Sequence, residues 1–207
     1  MVGKTSISKR FIKGKFIKEE IANRTINTNC YQKSIQIDDL LFNLNIWDTA
    51  GEEKYHAMAP IFYRGADGAV VIFDVTKRET FNRATKWFHE LSEFAEGNPK
   101  IILVANKIDL PNKEVTNQEA SALAQKYQCK FYEVSALLGT NVNEIFNSIA
   151  LDIYKEKKNK NEEKIKDSNF DSFNSSNNNY GNKRGKKLII VSGTEKTHSK
   201  NRKGSCC

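Results

Sequence analysis

The chain has 207 residues, 39% hydrophobic and 28% charged, enough for one ordinary globular core with an appendage and too few for a second full domain. Its net charge of +8 is local: residues 1–154 hold 19 Lys+Arg against 19 Asp+Glu, whereas residues 155–207 hold 14 against 6, which argues against a nucleic-acid interface on the folded part and for an anionic membrane surface near the tail. No stretch approaches the about 20 apolar residues of a spanning helix, no signal peptide opens the chain, and the four cysteines form neither metal-ligand spacing nor a disulfide framework, so a cytosolic protein is expected, with Cys30 and Cys129 as small, partly buried residues.

In chain order, Gly3-Lys4-Thr5-Ser6 opens a helix-like stretch and reads as the second half of a phosphate-binding loop, in which backbone amides and a helix N-terminus face phosphates. Lys4 is expected at the β- and γ-phosphates and Thr5 at Mg²⁺. Strand-like runs follow at 34–37 and 41–47, with Asp38-Asp39 turning a hairpin between them. Further runs at 69–75, 100–106 and 130–134 alternate with helix-like segments at 80–95, 117–127 and 141–154, the pattern of an α/β fold with a mostly parallel sheet. Ala-Val-Val-Ile-Phe (69–73) and Ile-Ile-Leu-Val-Ala (101–105) are continuously apolar, as expected of strands covered by helices on both faces. From Lys155 the periodicity dissolves, and the Asn/Ser cluster at 174–179 cannot bury enough apolar area to order itself, so 159–207 is expected to be a disordered tether. One run breaks that pattern: Leu188-Ile189-Ile190-Val191, which reads equally as a short contact motif or as chance.

Gly-Lys-Thr alone is common; order and spacing carry the signal. Trp-Asp-Thr-Ala-Gly-Glu-Glu (47–53), Asn-Lys-Ile-Asp (106–109) and Ser-Ala-Leu (135–137) each end a strand, and loops at the carboxyl ends of strands outline one crevice in an open α/β sheet. At these residues the chain resembles the Rab family of small, Ras-like GTPases over about residues 2–158, and the segment 47–66 is similar to the second switch of the early-endosomal Rab branch. The resemblance implies a P-loop NTPase fold with helices on both faces of a mostly parallel sheet, a GTPase domain at 1–158 and a tail at 159–207. It implies GTP or GDP as ligand and Mg²⁺ as cofactor. Asn106 and Asp109 are then expected to hydrogen-bond guanine, Lys107 to pack along it, Ser135, Ala136 and Leu137 to support it, and Phe16 to cover its edge. Asp48, Thr5 and Thr25 are the expected metal-side residues, and Gly51 the amide at the γ-phosphate. Ile26, Trp47, Tyr55, Met58, Ile61 and Phe62 are the expected effector-facing switch residues.

The chain also departs from the family. Met1 falls in the middle of the phosphate loop, so the loop's first glycine and the preceding strand, which the family places mid-sheet, are absent. Losing even one large core side chain costs about 2–5 kcal/mol against a total of roughly 5–15 kcal/mol, so the expectation is two strands without a ladder partner, a poorly folding chain, and coding sequence missed upstream of Met1. A truncated product with compromised nucleotide binding is the alternative. Glu52 stands where the family has the glutamine that orients the attacking water, which predicts slow hydrolysis with Glu52, Gly51 and Lys4 as the catalytic set. Asn27 replaces a glycine, Cys30 an aromatic and Leu137 a lysine.

Lys-Gly-Ser-Cys-Cys (203–207) resembles the Rab terminus on which both cysteines, here Cys206 and Cys207, are geranylgeranylated; stable anchoring takes two signals, so paired acceptors on a basic tail fit. A coil of about 50 residues spans about 40 Å on average. The expected function is a membrane-anchored switch in vesicle trafficking, endocytic in branch, at the cytoplasmic face of endosomal membranes and cycling with cytosol. Effectors, an exchange factor, a GTPase-activating protein, a GDP-dissociation inhibitor and the prenylation machinery are the partners the resemblance implies. A membrane-tethered pseudo-GTPase acting as a docking module is the alternative reading.

Overall fold

The computed structural model describes residues 1–17, 28–49, 63–167 and 186–191. Helix α1 (Lys4–Lys13) opens the described chain and is followed by strands β1 (Asn29–Ile37), β2 (Leu40–Asp48) and β3 (Gly68–Asp74). Next come α2 (Arg78–Phe94), β4 (Lys100–Asn106), α3 (Asn117–Lys126), β5 (Lys130–Val134), α4 (Val142–Asp167) and β6 (Lys186–Val191). The sheet order is β1-β2-β6-β3-β4-β5, with only the β1–β2 pair antiparallel.

Local chemistry explains most element ends. Asp38, at φ 52°, turns the β1–β2 hairpin where 38–39 was predicted to turn it. Helix α3 begins on a capping box: the Thr116 hydroxyl accepts from the Glu119 amide while the Glu119 carboxylate accepts from Thr116 N. Strand β3 is buried along its whole length, matching its unbroken apolar run.

Two apolar clusters sandwich the sheet. One joins α1 and α4 to one face through Ile7, Phe11, Ile46, Val70, Phe146 and Ile149, with Phe11 stacked on Phe146 at 3.8 Å between centroids. The other joins α2 and α3 to the opposite face through Phe73, Phe88, Leu103 and Ala124.

The tail departs from its expected disorder in two places. Helix α4 continues to Asp167, and Lys186–Val191 forms β6, parallel to both neighbours in the slot between β2 and β3. Strands β2 and β3, expected to lack a ladder partner, both pair with β6. Leu188 and Ile190 enter the α1/α4 cluster and Ile189 the α2/α3 cluster, all fully buried. At about 1.5–3 kcal/mol per buried side chain of this size, the three offset much of the loss anticipated for a sheet short of a middle strand. Cys30 is a smaller correction: it is exposed, opposite Trp47 on edge strand β1, while Cys129 is half-buried as expected.

Candidate nucleotide-binding site

The carboxyl ends of β2, β3, β4 and β5 and the N-terminus of α1 meet at one edge of the sheet. Gly3 caps α1 in the left-handed conformation (φ 93°), and a Cβ there would stand 2.5 Å from the Asn106 amide nitrogen, so glycine answers both a backbone and a clearance demand. The helix then runs Lys4, Thr5, Ser6, with Lys4 and Ser6 buried. Arg10, one face further along, donates to Leu138 O at 3.0 Å and ties α1 to the loop after β5.

Asn106, expected to bond a base, is a clip between loops. Its Nδ2 donates to Val2 O at 2.8 Å and its Oδ1 accepts from Ala136 N at 3.2 Å. An amide carries two donors and two lone pairs, so one of each is left for a ligand. Ser135, expected to support the base, uses its hydroxyl within the protein: it donates to Asp109 Oδ1 at 2.5 Å and accepts from Leu138 N at 3.0 Å. The Asp109 carboxylate is thereby fixed in orientation, and with two lone pairs on each oxygen it keeps acceptor capacity on both. Lys107 takes the left-handed conformation (φ 70°), and its ammonium pairs with the buried Asp74 at 2.5 Å. Asp74 also accepts from Thr76 N and Oγ1. Sequence reading missed Asp74; its place at the end of the apolar run 69–73 was the available signal.

Asp48 ends β2 fully buried, and neither of its carboxylate oxygens has a complete hydrogen bond. Burial pushes its pKa up, against the opposing effects of the Thr5 hydroxyl and the Lys4 and Lys9 charges. A buried, under-satisfied carboxylate beside a hydroxyl is an oxygen-donor pair suited to a hard divalent cation, so Asp48 and Thr5 fit the expected Mg²⁺. Burial also lowers the Lys4 pKa to about 8, with the Asp48 charge opposing.

Of the other predicted residues, Leu137 is exposed, Trp47 is half-buried on β2 with the Lys187 ammonium 5.3 Å over its ring, and Phe16 packs half-buried against the α1/α4 cluster. Thr25, Ile26, Gly51, Glu52, Tyr55, Met58, Ile61, Phe62, Cys206 and Cys207 lie outside the described residues.

A helix N-terminus with a buried lysine, a carboxylate for a cation and a clamped acceptor after β4, all at the carboxyl edge of a mostly parallel sheet, define a P-loop nucleotide-binding protein. The chain belongs to the Ras family, whose model matches residues 1–155. Members of this family are GTP-binding switches that hydrolyse GTP and use Mg²⁺.

The Lys4 shift yields a pH prediction. Phosphate binding requires the ammonium, so above pH about 8 each nucleotide bound must take up a proton, and affinity should weaken toward tenfold per pH unit. Without ligand the sign reverses: the folded pKa lies below the unfolded value of 10.5, the unfolded chain binds more protons between the two, and stability rises with pH across that window. Titrating GDP affinity from pH 7 to 9.5 checks this, and Lys4→Met should flatten the dependence while weakening binding throughout.

Proposed function

We propose that this chain is a Rab-type switch of membrane trafficking, on an endocytic route, that binds guanine nucleotide and hydrolyses GTP slowly. The Asp109 carboxylate held by the Ser135 hydroxyl carries the guanine part: a fixed acid accepts from both guanine N–H donors, for which adenine has no matching pair. Lys4, Thr5 and the α1 N-terminus hold the phosphates, and Thr5 with Asp48 holds the cation. When bound, Mg²⁺ neutralises charge developing on the phosphate oxygens. The trafficking part rests on the sequence at 47–66 and on the basic tail ending in Cys206-Cys207.

Slow hydrolysis follows from Glu52. A carboxylate can accept from the attacking water but lacks the amide donor and adds negative charge near the γ-phosphate. Single-turnover hydrolysis by Glu52→Gln should be several-fold faster than wild type at unchanged GTP affinity, since each 1.36 kcal/mol off the barrier is tenfold in rate. An equal or lower rate in the variant would remove the inhibitory role of Glu52.

The membrane part is tested separately. Changing Cys206 and Cys207 together to serine should move the protein from the membrane fraction to the supernatant at moderate salt, because the remaining basic tail attracts lipid only through screened charge. A double variant still wholly with membranes would point to another anchor.

A further inference from the structure

Arg10 contributes to neither half of the nucleotide site, yet it joins them. It lies on α1, about 9 Å along the helix from Lys4, and its Nη2 donates to Leu138 O at 3.0 Å in the loop after β5. Leu138 N in turn donates to the Ser135 hydroxyl at 3.0 Å, and that hydroxyl donates to Asp109 Oδ1 at 2.5 Å. Hydrogen bonds in series therefore run from the helix that carries Lys4 and Thr5 to the acid at the base end. The Asn106 clip holds the near end of the same loop, at Ala136; Arg10 holds its far end.

Both partners are shaped for this contact. Gly139 takes φ 87°, and a Cβ there would stand 2.5 Å from Arg10 Nη2 and 2.8 Å from its Nε, so the guanidinium lies against backbone that only glycine leaves open. The turn is closed on itself by Gly139 N donating to Ser135 O at 2.8 Å and Ser135 N donating to Thr140 O at 3.2 Å. On the helix side, the next residue, Phe11, is stacked on Phe146, and Gly14 N donates to Arg10 O at 2.9 Å, so the guanidinium projects from a fixed post. The Leu138 side chain is 64% exposed and adds little packing at the far end of the loop, which leaves the holding there to backbone contacts. A guanidinium is permanently charged, and charge-assisted hydrogen bonds are stronger than neutral ones.

We propose that Arg10 is a positioning residue for base selection: through Leu138 and Ser135 it holds the Asp109 carboxylate in the one direction that accepts from two adjacent N–H donors of a purine. The proposal rests on the guanine-nucleotide reading above. An unrestrained carboxylate can turn to follow a single N–H donor, but accepting from two at once demands one orientation. A ligand with both donors therefore gains more from the restraint than a ligand with one. Guanine carries the ring N–H and the exocyclic amine, whereas hypoxanthine carries the ring N–H alone. Arg10 thus acts on the discrimination between these two bases, while the phosphate contacts of Lys4 and the α1 N-terminus are made without the loop.

The test uses the full chain and two ligands with identical phosphates, GDP and inosine diphosphate, in the presence of Mg²⁺. Arg10→Met removes the donor and keeps the aliphatic stem and the helix preference. GDP affinity should fall about tenfold and inosine diphosphate affinity about twofold, so that the ratio of the two falls about fivefold. Gly139→Ala, which pushes the guanidinium off from the other side, should lower the ratio in the same direction, and Arg10→Lys, which keeps a charged donor, should retain part of it. In Ser135→Ala the series of hydrogen bonds is already cut, so adding Arg10→Met should leave the ratio where Ser135→Ala alone puts it. Equal losses for the two ligands in Arg10→Met would reduce Arg10 to structural support and overturn the proposal, as would a further fall of the ratio in the double variant. A wild-type preference for GDP that survives intact in Arg10→Met overturns this proposal alone. A wild-type chain that does not distinguish GDP from inosine diphosphate overturns the guanine reading, and this proposal with it.

Discussion

Asp109→Asn should lower GTP affinity on the order of 100-fold while leaving weak ATP binding unchanged. In the structure one carboxylate oxygen accepts from the Ser135 hydroxyl, so the acid cannot rotate freely and the remaining lone pairs of both oxygens are presented in fixed directions. Hydrogen bonds to a charged group are worth about 1.5–3 kcal/mol. The amide keeps one acceptor and turns the other into a donor, which loses one such bond and sets donor against donor at guanine. A loss of about 3 kcal/mol corresponds to somewhat over 100-fold. The Ser135–Asp109 pair adds a second consequence: Ser135→Ala, which releases the carboxylate without neutralising it, should weaken GTP in the same direction but less. Competition between GTP and ATP against a fluorescent nucleotide measures both variants. Equal losses for GTP and ATP in Asp109→Asn would sink the base-site assignment.

Asp48→Asn should trade function for stability. The buried carboxylate has incomplete hydrogen bonding, and its pKa is raised by burial. A raised carboxyl pKa means the folded state binds more protons than the unfolded state over that interval, so stability falls as pH rises through it. The ionised form of Asp48 is thus a cost to the nucleotide-free fold, and a neutral amide of the same shape removes it. Each 1 kcal/mol recovered corresponds to about 2–4 °C in Tm for a domain of this size. The same change removes the charge facing the cation, and Mg²⁺ affinity in the nucleotide complex should fall about 10–100-fold, the range seen when partners around a metal are lost. Thermal unfolding without nucleotide, beside magnesium titration of the GDP complex, reads the two effects independently. A variant less stable than wild type when free of nucleotide would mean that Asp48 is satisfied in the unliganded fold and that the cation fit has been misjudged.

Sequence alone determined what depends on local pattern. The unbroken apolar runs at 69–73 and 101–105 became buried strands β3 and β4, the helix-like segments became α2, α3 and α4, and the carboxyl ends of β2, β4 and β5 came together with Gly3-Lys4-Thr5 at one edge. Strand-end motifs are legible because their spacing is short and their chemistry is carried by residue type. Only the tertiary structure decided which atoms do the holding. Asn106 clips Val2 to Ala136, Ser135 orients Asp109 and Asp74 anchors Lys107, and each of these contacts joins segments whose separation in sequence says nothing of their distance in space. The tail shows the limit most plainly. Four apolar residues in a polar background fit a contact motif or an accident equally well, because the partner of a parallel strand lies far along the chain and leaves no local trace. It took the slot between β2 and β3, the clearance at Gly68 and the Asp67 contacts at Lys187 to make Lys186–Val191 a strand in the middle of the sheet.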